Sequence, residues 1–307
     1  MMTRTLHVVP VGTSVLAHLP KGRLHNPTGT LAAAPTPEQP TPPPVRAVIR
    51  EATGADATLD LAHLLGPDTL AALHVACGTL AAEWTSTDAA TRQAPLSTQR
   101  DTLLLLASDT DDGLKAATLV AARYAGLGFR AHYADTPGDQ PVLQPGELHL
   151  CRLPGLNLAS GQPAPSTWHA LGTIGRHLRR ACERGEDRRI LIHLNGGYKL
   201  LTPHLLIMAT AINTALAEPG RSLSLDTVRA FVLHQDSTAL PDGIVWIPIG
   251  SLPPTQWDTL RALAAEPVIT RDRLDSTWDG DLLGQFIAAD GDHRSLTAAG
   301  QITLGVL

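Results

Sequence analysis

The segment Asn195-Gly196-Gly197-Tyr198-Lys199 combines residue types suited to holding a phosphate. Glycines let backbone N–H groups approach an anion with no Cβ in the way, and a lysine adds a full positive charge. The segment follows Ile190-Leu191-Ile192-His193-Leu194, a branched apolar run of the length of a buried strand. It precedes an Ala-rich apolar stretch from Thr202 to Thr214, with Pro203 where a first helical turn tolerates it. A strand, a glycine turn and a helix start would aim free N–H groups at a ligand. Read alone, the same residues also suit an ordinary turn with Lys199 in solvent. Two further groups stand in comparable places. Gly12-Thr13-Ser14 follows the run Leu6 to Val11, and Ser108-Asp109-Thr110-Asp111-Asp112-Gly113 follows Thr102 to Ala107. Hydroxyls at such positions either touch a ligand at the carboxyl end of a sheet or cap the next helix. The acidic cluster Asp109, Asp111 and Asp112 lacks the D-x-D-x-D-G loop and distant Glu of a calcium site, so capping is the reading preferred over metal binding.

The elements that must position these groups are strands alternating with helices. After Thr102–Ala107 come a helix over Leu114–Gly126 and a strand over Phe129–Tyr133. Leu148-His149-Leu150 is a short strand, and Thr167–Arg184 a helix whose polar face carries Arg176, Arg179, Arg180 and Arg184, read as solvated. Val228–Leu233 is a strand ending in His234-Gln235-Asp236-Ser237, and Ile244–Pro248 an antiparallel edge strand. Ala47 to Trp84 carries helical patterning broken at Gly66-Pro67, and residues 28–44 form a Pro-rich extended loop. The βαβ order predicts an α/β fold with a parallel central sheet flanked by helices. The pattern changes after Pro254. Residues 1–254 read as one domain and residues 255–307 as a small, mostly helical module with a hairpin, resembling a winged helix. Its charged residues are mostly acidic, so DNA binding is not expected of it.

Composition sets bounds. The chain has 307 residues, 43% of them apolar, and a formal net charge of −5, which argues against broad attachment to nucleic acid but leaves room for a small anion at a local cation. The widely spaced Cys77, Cys151 and Cys182 form no CxxC pair, which suits a reducing cytoplasm and neither a disulfide framework nor a zinc site. The sequence shows no membrane span or signal-peptide pattern. Neither G-x-G-x-x-G nor G-x-x-x-x-G-K-[ST] occurs, which disfavours a generic dinucleotide or P-loop enzyme.

Taken in order, the separated motifs resemble one family. Val11-Gly12-Thr13-Ser14-Val15-Leu16 is similar to its opening Val-Gly-Thr-Ser-Leu, and Leu106-Ala107-Ser108-Asp109-Thr110 to its second element. His193-Leu194-Asn195-Gly196-Gly197-Tyr198-Lys199 with Pro203 is similar to its Asn-x-Thr-Gly-Gly-Phe/Tyr-Lys turn, departing from it at His193 and Asn195. His234-Gln235-Asp236-Ser237, Trp246-Ile247-Pro248-Ile249 and Pro253 are similar to its late strand pair and exit. The family is the CRISPR-associated Rossmann-fold (CARF) proteins of type III systems, and the resemblance spans residues 5 to 254.

The resemblance implies a Rossmann-like homodimer that binds cyclic tetra- or hexa-adenylate across its two-fold axis. It implies ligand contacts from Gly12, Thr13, Ser14, Ser108, Asp109, Thr110, Asn195, Gly196, Gly197, Tyr198 and Lys199. The Arg188–His193 spacing matches the family's ribonuclease signature but falls within a strand, so a fused ribonuclease is not expected. What remains resembles the standalone ring nucleases. Their reaction needs no metal or cofactor: a ribose 2′-hydroxyl attacks the adjacent phosphate and leaves a 2′,3′-cyclic phosphate. Lys199 and Ser14 would be catalytic, Lys199 through charge stabilisation and Ser14 by positioning the phosphate. His193 could serve as a base, although a His on a buried strand is more often core. The same residues also suit a noncatalytic sensor that signals through residues 255–307, and the sequence does not separate the two.

Overall fold

The computed structural model describes residues 4–13, 15–16, 45–66, 87, 89–91, 95–136, 143–157, 163–184, 188–195, 197, 199–217, 227–233, 243–266, 269–270, 272, 274, 285–290 and 293–307. Ser14, Gly196, Tyr198, the Pro-rich loop and the segment 234–237 lie outside them.

The strands are β1 (Arg4–Pro10), β2 (Asp101–Ala107), β3 (Arg130–Ala134), β4 (Glu147–Arg152), β5 (Arg188–His193), β6 (Val228–Leu233) and β7 (Ile244–Ile247). They form one seven-stranded sheet in the order β3-β4-β2-β1-β5-β6-β7. Every pairing is parallel except β6 with β7, which is antiparallel as the sequence predicts. The helices are α1 (Val45–Glu51), α2 (Leu61–Leu65), α3 (Asp111–Gly126), α4 (Pro165–Glu183), α5 (Leu201–Leu216) and α6 (Pro254–Ala264), followed by the hairpin β8 (Ile287–Asp290) and β9 (His293–Leu296) and by α7 (Ala298–Val306).

The leucine run of β2 shows why the centre reads as continuous hydrophobicity. Successive side chains of a strand alternate faces, so Leu103 and Leu105 join one core with α1, α2 and α3, while Leu104 and Leu106 join a second with α4, α5 and α7. With helices on both faces, no position in β2 is left for a polar outer row. Each such leucine contributes roughly 1.5–3 kcal/mol on burial.

Two sequence expectations change. The helical patterning of Ala47–Trp84 is interrupted after α1, where the chain turns at Gly54 to Ala57 and pairs with the edge strand β3. The Leu59 N–H donates to the Ala131 carbonyl, and the Tyr133 N–H to that of Ala57, each at 2.9 Å. Leu59 is buried in the first core, so its burial outweighs local helix propensity. The second change concerns the basic face of α4. Arg176 Nε donates to the Gly305 carbonyl and Arg179 to that of Leu307, each at 2.8 Å. These arginines satisfy carbonyls at the end of α7 instead of lying in solvent.

That contact ties the last helix to the sheet. A Cβ on Gly172 of α4 would lie 2.7 Å from the Gly305 Cα, so the two helix backbones touch. Ile302 and Val306 complete the second core beside Leu178, Leu205 and Met208. The rest of the C-terminal segment has its own apolar cluster, Leu260, Leu263, Leu274, Phe286 and Ile287. Among the described residues no helix is long and apolar enough to cross a membrane.

Candidate functional site

Strand order places the candidate site. Chain connections from β1 and β5 leave towards opposite edges of the sheet, which opens a crevice at their carboxyl ends. Both ends carry glycine. Gly197 has φ +77°, a left-handed conformation that costs other residues energy, and a Cβ there would meet the Pro10 carbonyl carbon at 2.8 Å. A Cβ on Gly12 would meet the Gly197 Cα and N at 3.1 Å. The loops after β1 and β5 therefore pack backbone against backbone. Motifs some 180 residues apart become one surface only because neither carries a side chain at the contact.

Around this contact the side chains point outward. Thr13, Lys199 and Leu200 are exposed. The Thr202 N–H donates to the Lys199 carbonyl at 3.2 Å, which starts the turn into α5. Leu200, the N-cap of α5, provides no side-chain cap, and the first turn carries no acidic residue. The positive end of the helix dipole and exposed Lys199 thus both follow Gly197 closely along the chain. Two of the predicted ligand contacts, Gly12 and Gly197, meet directly, and Thr13 and Lys199 flank them.

Asn195 faces elsewhere. Its Nδ2 donates to the Leu233 carbonyl at 3.0 Å, and its Oδ1 accepts the Leu233 N–H, so the amide staples the end of β5 to the end of β6. His193 is fully buried. Its Nε2 lies 3.1 Å from Nδ1 of His7, so one proton is shared between the rings, and its ring packs on Phe231 with centroids 4.6 Å apart. His7 Nε2 in turn lies 3.7 Å from Asp101. Burial, assisted by His7, holds the His193 pKa well below the usual imidazole range. His193 is a core residue beneath the loop.

The second motif is spent on structure. Thr110 is the N-cap of α3 and accepts the Gly113 N–H at 3.0 Å, while its hydroxyl lies 3.0 Å from that of Ser108. A Cβ on Gly113 would meet Ser108 Oγ at 1.8 Å, so a larger residue there would displace the Ser108 hydroxyl. Asp109 accepts Arg152 NH1 at 2.7 Å and the Gly155 N–H at 2.9 Å. Arg152 also reaches Asp135 at 3.0 Å, and Asp135 accepts from Arg46 Nε and the Tyr133 hydroxyl, each at 2.8 Å. The Arg46 hydrogen bond, with help from Tyr133 and Arg152, holds the Asp135 carboxyl far below its ordinary range despite partial burial. Among the described residues no cluster of His, Cys, Asp or Glu is arranged to hold a metal ion.

One functional candidate carries no sequence signal. His204, in the first turn of α5, stacks on Trp168 of α4 with centroids 4.0 Å apart and planes 18° apart. Its Nδ1 lies 2.8 Å from the Leu200 carbonyl. Burial lowers its pKa, and the bond to the carbonyl partly opposes this. The stack joins separate helices, so nothing in local spacing foretells it. No protein-family model matches this chain, and no curated protein matches it at a significant level.

Proposed function

We propose that the protein is a CARF-like ring nuclease: a Rossmann-like homodimer that binds a cyclic oligoadenylate at the β1/β5 crevice and cleaves it without a metal to a linear product ending in a 2′,3′-cyclic phosphate. The observation that carries this reading is the contact of Gly12 with Gly197, which sets the loop of exposed Lys199 against the loop after β1 with no side chain between them. Such an arrangement suits a phosphate, which needs N–H donors, a cation and no intervening Cβ. Lys199 stabilises charge on the phosphoryl oxygens, and Ser14 positions the phosphate. The 2′-hydroxyl attacks in line, which requires that the ribose be held in one orientation.

The second reading is a sensor that holds the ring intact and signals through a winged-helix-like C-terminal segment. It has one observation in its favour. A Cβ on Gly175 of α4 would touch both Met208 of α5 and Val306 of α7, so the helix that starts at the candidate site packs beside the last helix of the chain. Incubating the purified chain with labelled cyclic tetra- and hexa-adenylate in EDTA separates the readings. Linear di- or tri-adenylate with a cyclic phosphate end supports the nuclease and identifies its substrate. Intact ring retained on the protein supports the sensor, and absence of both binding and cleavage overturns the family reading.

A further inference from the structure

We infer that His204 is the general base of this site, its Nε2 taking the proton of the ribose 2′-hydroxyl. The inference rests on the ring-cleavage reading above and adds to it the proton acceptor that Lys199 and Ser14 do not supply.

The first support is the fixed tautomer. The Leu200 carbonyl can only accept a hydrogen bond, so at 2.8 Å the ring proton sits on Nδ1 and Nε2 keeps its lone pair. The second is the fixed orientation. Trp168 stacks on the ring at 4.0 Å, and the side chain cannot swing away without losing that contact. The third is position. Leu200 directly follows Lys199, so His204 is hydrogen-bonded to the backbone of the loop that carries the cation. Both α4 and α5 begin at the carboxyl edge of the sheet, and the Trp168–His204 stack closes the gap between their first turns. Partial burial favours the neutral ring, the form able to take a proton. His193 does not compete for this role, because it is fully buried against His7 and Phe231.

The step balances without a co-reactant. The 2′-oxygen forms a bond to phosphorus as its proton passes to Nε2, and the bond from phosphorus to the 5′-oxygen breaks. That oxygen takes a proton from water, and His204 then returns its own to solvent.

The test uses the full chain under single-turnover conditions with labelled cyclic tetra- and hexa-adenylate. His204→Phe keeps a flat ring for Trp168 but has no base. Its cleavage should be slower by about 10²-fold or more, the usual share of a general base, with ring retention unchanged. His204→Ala should be similarly slow and regain rate on addition of imidazole, whereas His204→Phe, whose ring fills the space, should not. Thermal melting of both variants accompanies the assay, and His204→Gln replaces any variant that fails to fold. Wild-type rates in His204→Phe overturn the assignment, as does slow cleavage in His204→Ala that imidazole leaves unchanged. Wild-type protein that holds the ring uncut brings down the ring-cleavage reading, and the base assignment with it.

Discussion

The loops after β1 and β5 and those after β2 and β4 are built from similar material to different ends. Both lie at the carboxyl edge of one sheet, and both combine glycine, hydroxyl and charged residues. At β2/β4 the polar groups are consumed internally. Thr110 caps a helix, Asp109 binds Arg152 and Gly155, and Arg152 binds Asp135. At β1/β5 the backbones touch through glycine and Lys199 faces solvent. A charge whose partners are already fixed supports the fold; a charge exposed to solvent can meet a ligand.

The comparison predicts that damage to the two pairs of loops separates into function and stability. The largest effect is expected from Lys199→Ala. Ring cleavage should fall by about 10²–10³-fold, as for loss of one charge-stabilising group. The melting temperature should barely move, because the residue is exposed. A large loss of melting temperature would place Lys199 among the structural residues. Arg152→Leu is expected to do the reverse. It removes the shared partner of Asp109 and Asp135 from a site where Arg152 is only 5% exposed, at a cost of roughly 3 kcal/mol in urea unfolding. Stability equal to wild type would show that the network is dispensable.

Gly197→Ala should affect both properties. Positive φ costs a residue with a Cβ about 1–3 kcal/mol, and the clash with Pro10 pushes the two loops apart. Ring retention should therefore weaken along with stability, and retained affinity would mean that the loop contact does not shape the site.

The smallest effect is a pH dependence in two stages. His193 has a lowered pKa, so unfolding lets it take up a proton. Its contribution is complete above the unfolded value of about 6.5 and is lost as pH falls below it. Asp135 and Glu147 are also lowered, Glu147 to about 2, where hydrogen bonds from His149 and Arg130 prevail over burial. Their contributions persist above pH of about 4 and fade below it. Urea unfolding from pH 8 to pH 3 should show the upper stage in the wild type and a smaller one in His193→Asn, because His132, His177 and His204, also lowered by burial, still take up protons on unfolding. An upper stage of unchanged size in this variant would show that His193 does not contribute to it.

Much of this architecture is legible in the sequence. The runs at Leu6–Val11, Thr102–Ala107 and Ile190–Leu194 can be buried only in a sheet covered on both faces, which sets the α/β class, and glycine after β1 and β5 marks where the backbone must turn or approach closely. Which glycines meet is a matter of strand order, and strand order depends on packing between segments far apart in the chain. Only the folded chain places Gly12 against Gly197, assigns Arg152 to Asp109 and Asp135, and binds Arg176 and Arg179 to the end of α7. Residue type states what a side chain can do. Its partners, which decide whether Asp109 is a ligand or a strut and whether His204 is a fixed base, come from elements the local sequence does not name.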